Sequence, residues 1–99
     1  MDITWNKETE EMFNNVIVHL PQFHRNIAKQ LVKEKSEEQA KERGSEVVEN
    51  KDLIVAFFQE VPPAFTEMLK RRFTYLNIEY TQYLNDETLS PEDNSQSSA

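Results

Sequence analysis

Three sets of residues in this 99-residue chain have side chains suited to chemistry: the histidines His19 and His24, the basic run Lys70, Arg71 and Arg72, and an excess of carboxylates. Metal ligation from one helix wants imidazoles at i and i+4, as in HExxH. His19 and His24 are five apart and straddle Pro21, so they do not share such a face and no metal is expected. Acid–base catalysis needs two carboxylates held in contrasting environments. The 18 acids lie along polar stretches, with no nucleophile elbow, phosphate loop or metal motif among them. No catalytic residue and no cofactor are expected.

The run Lys70–Arg72, followed by Phe73 and Tyr75, has the basic and aromatic composition that suits single-stranded nucleic acid. The net charge of −7 opposes that reading, because nucleic-acid affinity rests on neutralising phosphates with Lys and Arg. The run reads instead as a solvated helix face or a docking patch for an acidic protein partner. Arg25 sits in the first turn of a predicted helix. It is placed either to hold a carboxylate by charge-assisted hydrogen bonds or to tie two helices of its own chain together. Trp5 is an aromatic anchor for a partner or a lid on one end of a bundle.

Composition narrows the classes further. The chain has no cysteine, which excludes disulfides, thiolate chemistry and Cys-based zinc sites. Its apolar runs, such as Val16–Leu20, are far shorter than the roughly 20 residues of a membrane span. The start MDITWNKETEE lacks the basic and apolar regions of a signal peptide, so a soluble, cytoplasmic protein is expected. Gly44 is the only glycine, which speaks against tight hairpins and phosphate-cradling loops.

The elements that must position these residues read as four helices with no strand signal. Asn6 is a plausible N-cap for a first helix over 6–20, with Glu8, Glu10 and Glu11 favoured by the helix dipole. Met12, Phe13, Val16, Ile17 and Leu20 form its apolar stripe. Pro21 ends that helix and starts a second, whose apolar face is Phe23, Ile27, Ala28, Leu31 and Val32. From Lys33 to Arg43 the face fades to one apolar residue, Ala40, so a solvated, projecting end is expected, stopped by Gly44. Asn50 opens a short third helix, apolar over most of its circumference and therefore central. Pro62 and Pro63 stop it. The fourth helix is predicted over 63–84, with Leu69, Phe73, Leu76, Tyr80 and Tyr83 spaced as a heptad seam. That seam either completes the core or joins two copies of the chain as a homodimer.

The expected fold is thus an all-α four-helix domain over residues 1–84. The predicted core is Phe13, Ile17, Leu20, Phe23, Ile27, Leu31, Leu53, Ile54, Phe57, Phe65, Leu69, Phe73 and Leu76. Residues 85–99 carry four acids, Asp86, Glu87, Glu92 and Asp93, and no base, which leaves −3 on residues 1–84. This segment is nearly free of bulky apolar groups and is read as a disordered acidic tail. One punctuation occurs twice: LPQFHR at Leu20–Arg25 and VPPAF at Val61–Phe65 each put proline two residues before phenylalanine at a helix start. The shared spacing of Ile27 and Leu69, and of Lys29 and Arg71, hints at an internal duplication.

Trp5, the LPQFHR step, the stretch EEQAKERG and then VVENKDLIVAF together resemble the PCP-reductase-like domain. That small domain is found at the C-terminus of one of the component chains of the light-independent protochlorophyllide reductase. The residues that carry the resemblance are Trp5, Pro21, Phe23, Arg25, Glu37, Glu38, Ala40, Gly44, Val48 and Ala56, within residues 5–57. Two features depart from the pattern. About one extra helical turn lies between Arg25 and Gly44, and Glu49 stands where the family has threonine. The resemblance implies a non-enzymatic accessory domain that docks to a protein in tetrapyrrole or photosynthetic metabolism. Trp5, Phe23 and Arg25 would be its contact residues, with Lys70, Arg71 and Arg72 as a second patch. A tetrapyrrole held between helices, or self-association through the fourth helix, are the alternative functions.

Overall fold

The computed structural model describes residues 3–84, so the tail expected over 85–99 lies outside the described residues. The fold is all-α: α1 (Lys7–Ile17), α2 (Gln22–Glu42), α3 (Asn50–Glu60) and α4 (Thr66–Tyr75). A two-residue parallel ladder joins β1 (Thr4–Trp5) to β2 (Val47–Val48). The Thr4 N–H donates to the Glu46 carbonyl at 2.9 Å and the Asn6 N–H to the Val48 carbonyl at 3.0 Å. Two residues are too few to show a period of two, which is why no strand was legible.

Asn6 caps α1 as its residue type predicts, its side-chain oxygen accepting from the Glu8 N–H at 2.9 Å. Met12, Phe13, Val16 and Ile17 are buried along α1. The α3 helix is the central element: Leu53, Ile54, Ala56, Phe57 and Phe58 are at most 1 % exposed. Its cap is Glu49 rather than the expected Asn50, and a reciprocal box with Asp52 closes its first turn. The Phe57 and Phe58 rings meet Phe73 at centroid distances of 5.9 and 5.7 Å, the range in which aromatic pairs add to burial.

α2 buries a different stripe from the one predicted. Phe23, Ile27 and Leu31 were expected in the core, yet they are 77 %, 62 % and 39 % exposed. Two stripes with the same four-residue step run side by side on this helix, and only one can face α3. The buried one is Ala28, Val32, Ser36 and Ala40, none more than 5 % exposed. These small residues let the two helix axes approach closely. Ser36 tolerates burial because its hydroxyl donates to the Val32 carbonyl at 2.7 Å. The stretch expected to project therefore packs along the core.

α2 ends at Gly44, with φ +80°, in a Schellman arrangement: the Gly44 N–H donates to Lys41 and the Ser45 N–H to Ala40. α4 ends the same way, well short of the predicted Leu84. Asn77 takes φ 60°, its N–H donates to Thr74, and the Ile78 N–H donates to Phe73. The chain then returns through a 3₁₀ turn at Thr81–Tyr83. Leu69 and Phe73 are fully buried, and Leu76, Tyr80 and Tyr83 pack against the core cluster. The heptad spacing is therefore filled by the chain's own core.

Candidate interaction surface

The fold employs most of the residues singled out as a site. Trp5 is half-buried: its indole N–H donates to Glu37 Oε2 at 3.0 Å and its ring lies 5.3 Å from Phe13. Arg25 turns back to the end of α1, where Nη2 donates to the carbonyls of Val18 and Leu20, each at 3.1 Å. It supplies the donor that the last carbonyls of a helix lack. Both side chains are thus engaged within their own chain.

The basic run does not form a single patch, because successive helical residues point in different directions. Lys70 pairs with Glu67 at 3.4 Å. The Arg72 guanidinium lies 4.9 Å from the centre of the Tyr75 ring, a cation–π contact. Arg71 is exposed. With His19 and Met68, Arg71, Arg72 and Tyr75 line a shallow depression of about 350 Å³.

Phe23 has no such employment. It projects beside His24, ring centres 4.4 Å apart, and His24 also meets Phe65 edge-on at 5.2 Å. The two proline–phenylalanine steps thus converge on one imidazole. They are not equivalent, since Phe23 is exposed while Phe65 packs against the core, and Ile27 is exposed while Leu69 is buried. Next to this aromatic triplet lies a groove of about 250 Å³ between α2 and the α3–α4 connection. The buried residues Leu20, Ala28 and Val61 line it together with His24, Ile27, Leu31, Phe65, Glu60 and Pro62. The lining is mainly apolar. Ile27 and Leu31 were missed as surface residues; the doubled stripe on α2 was the signal that one set had to face outward.

The groove's volume limits what enters it. Pockets that enclose a drug-sized ligand run from about 300 to 1,000 Å³. At about 250 Å³ the groove lies just below that range. Among the described residues no group of three His, Asp or Glu side chains is arranged to hold a metal, and no helix is long and apolar enough to cross a membrane. Compared with known protein families, with curated proteins and with solved structures, the chain matches none.

Proposed function

We propose that this chain is a non-enzymatic accessory module that docks an amphipathic helix of a partner protein on the outer face of α2. The observation that carries the reading is the exposed row Phe23, Ile27 and Leu31, one residue per turn, beside an apolar groove. Apolar anchors at such helical spacing are what helix-in-groove recognition uses. The largest exposed apolar patch on a small domain, typically a few hundred Å², is often functional. The exposed parts of the three side chains amount to about 300 Å². The resemblance to the PCP-reductase-like domain supports a partner from tetrapyrrole metabolism in the cytoplasm.

Affinity capture on the tagged chain and on a Phe23→Ala/Ile27→Ala double variant tests this. A partner held by the wild type and lost by a double variant of unchanged melting temperature is the expected result. Partners held equally by both chains would overturn the assignment of the docking face.

A further inference from the structure

Arg71, Arg72 and His19 meet at the depression that α4 shares with the end of α1, where Met68 and Tyr75 complete the lining. No carboxylate lines it. Among the described residues none of the three basic groups is in an ion pair. The chain holds 18 acids against 11 lysines and arginines, so a shortage of carboxylates does not explain why these bases lack one. The acids at helical spacing from them are engaged or point elsewhere. Glu67, one turn before Arg71, pairs with Lys70 at 3.4 Å. Glu79, four residues after Tyr75, accepts from Thr81. Glu11, two turns before His19, lines a separate depression with Met12, Asn15 and Ile78. Arg25 adds positive charge nearby, since it bonds the carbonyls of Val18 and Leu20 on either side of His19. Arg72 is held over the Tyr75 ring at 4.9 Å, and its Nε is buried with no acceptor.

We infer that this depression binds a phosphate monoester borne on an aromatic group. The site shares no lining residue with the α2 groove and does not depend on the docking face proposed above. A phosphate monoester carries a charge of about −1.5 to −2 at neutral pH and three acceptor oxygens. That matches two guanidinium groups and an imidazole better than the single charge and two oxygens of a carboxylate. A guanidinium fork holds two oxygens at once, which leaves the third for the imidazole of His19. Tyr75 is 74 % exposed, so its ring offers a surface on which a second ring can stack. The Met68 thioether beside it suits an aromatic neighbour. The volume of about 350 Å³ falls within the range of small-ligand sites. A long nucleic acid is a poorer occupant, because the net charge of −7 repels a string of phosphates. A single phosphate responds mainly to charges within about 8 Å at physiological ionic strength.

The test titrates the full chain with phenyl phosphate, benzoate and inorganic phosphate, followed by nuclear magnetic resonance. Phenyl phosphate is expected to shift the resonances of His19, Arg71 and Tyr75. It should bind about tenfold more tightly than benzoate, for its extra charge and acceptor oxygen, and about fivefold more tightly than inorganic phosphate, for its ring. Arg71→Gln removes an exposed, unpaired side chain, so it should weaken phenyl phosphate about tenfold at an unchanged melting temperature. Tyr75→Leu should abolish the preference for phenyl over inorganic phosphate. A phosphotyrosine peptide and a nucleoside monophosphate separate the two sources of such a group: the one that binds more tightly than phenyl phosphate names the source. Shifts confined to other residues, or binding unchanged by Arg71→Gln, would overturn the site. Equal affinity for benzoate and phenyl phosphate would overturn the assignment to phosphate, and equal affinity for phenyl and inorganic phosphate the assignment of the ring.

Discussion

Arg43 and Asp52 meet as a fork: Nε donates to Oδ1 at 2.8 Å and Nη2 to Oδ2 at 2.7 Å. The pair fastens the end of α2 to the first turn of α3. Asp52 is 3 % exposed, and its Oδ2 also accepts the Glu49 N–H at 2.9 Å, so one carboxylate serves an ion pair and a helix cap. The hydrogen bonds to Asp52 hold the Arg43 guanidinium above its already high ordinary value, so it stays charged. Removing one member of a buried pair strands the other. Asp52→Ala is expected to lower stability by about 3 kcal/mol in urea unfolding. Arg43→Ala is expected to cost at least as much, because it strands the buried Asp52 carboxylate, whereas the Arg43 left by Asp52→Ala is partly in water.

Arg25 and Phe23 are two residues apart and should behave oppositely. Arg25→Ala removes the donor that covers the Val18 and Leu20 carbonyls, and a loss of about 1–2 kcal/mol is expected. Phe23→Ala removes a ring that is 77 % exposed, and stability should stay within about 0.5 kcal/mol. Thermal melts of both variants check the contrast. A large loss for Phe23→Ala would mean that the ring belongs to the fold rather than to a partner.

Two left-handed residues end two helices, and their chemistry is separable from packing. A Cβ placed on Gly44 meets nothing within 4 Å, so any cost of Gly44→Ala is backbone strain, about 1–2 kcal/mol. Asn77 holds the same conformation with a side chain. Asn77→Gly should therefore be neutral or slightly stabilising, and Asn77→Val destabilising by about 1 kcal/mol or more. Paired denaturation curves read both differences.

The caps and helix stops were legible where one residue type has one meaning. Asn6, Pro21 and Gly44 each announce a helix boundary in sequence, and each sits at one. Asn77 carries the same αL message as Gly44, but the heptad spacing of Leu69 through Tyr83 reads straight across it. Those apolar residues reach the core from two directions, along α4 and back through the following turn. Periodicity alone cannot distinguish that from one long helix. The outer face of α2 was hidden for a related reason. Phe23, Ile27 and Leu31 outweigh Ala28, Val32, Ser36 and Ala40 in bulk, and bulk argues for the core when a helix is read alone. Against α3 the smaller stripe wins, because close approach buries both helices more completely. Trp5 and Arg25 were found by residue type, but their partners, Glu37 and the end of α1, depend on tertiary contacts that no local pattern encodes.

Glu79 provides a pH-dependent joint at the return of the chain. Its Oε1 accepts from the Thr81 hydroxyl at 2.6 Å and from the Thr81 N–H at 2.8 Å. The bond from the Thr81 side chain first, then that from its backbone, holds the carboxyl below its ordinary value of 4.5. A carboxyl with a lowered folded pKa contributes its stabilisation fully above the unfolded value and loses it as pH falls through the folded one. The turn at Thr81–Tyr83 should thus be intact above about pH 5 and loosen progressively below about pH 4. The adjoining Tyr80 ring stacks on Phe58 at 5.8 Å, so the loosening should reach the edge of the aromatic core. The Thr81 amide resonance and the Tyr80 ring signals, followed from pH 7 to pH 3, are expected to move together. Glu79→Gln keeps an acceptor without a titrating group and should flatten that pH dependence. An identical titration in the variant would place the acid-sensitive group elsewhere.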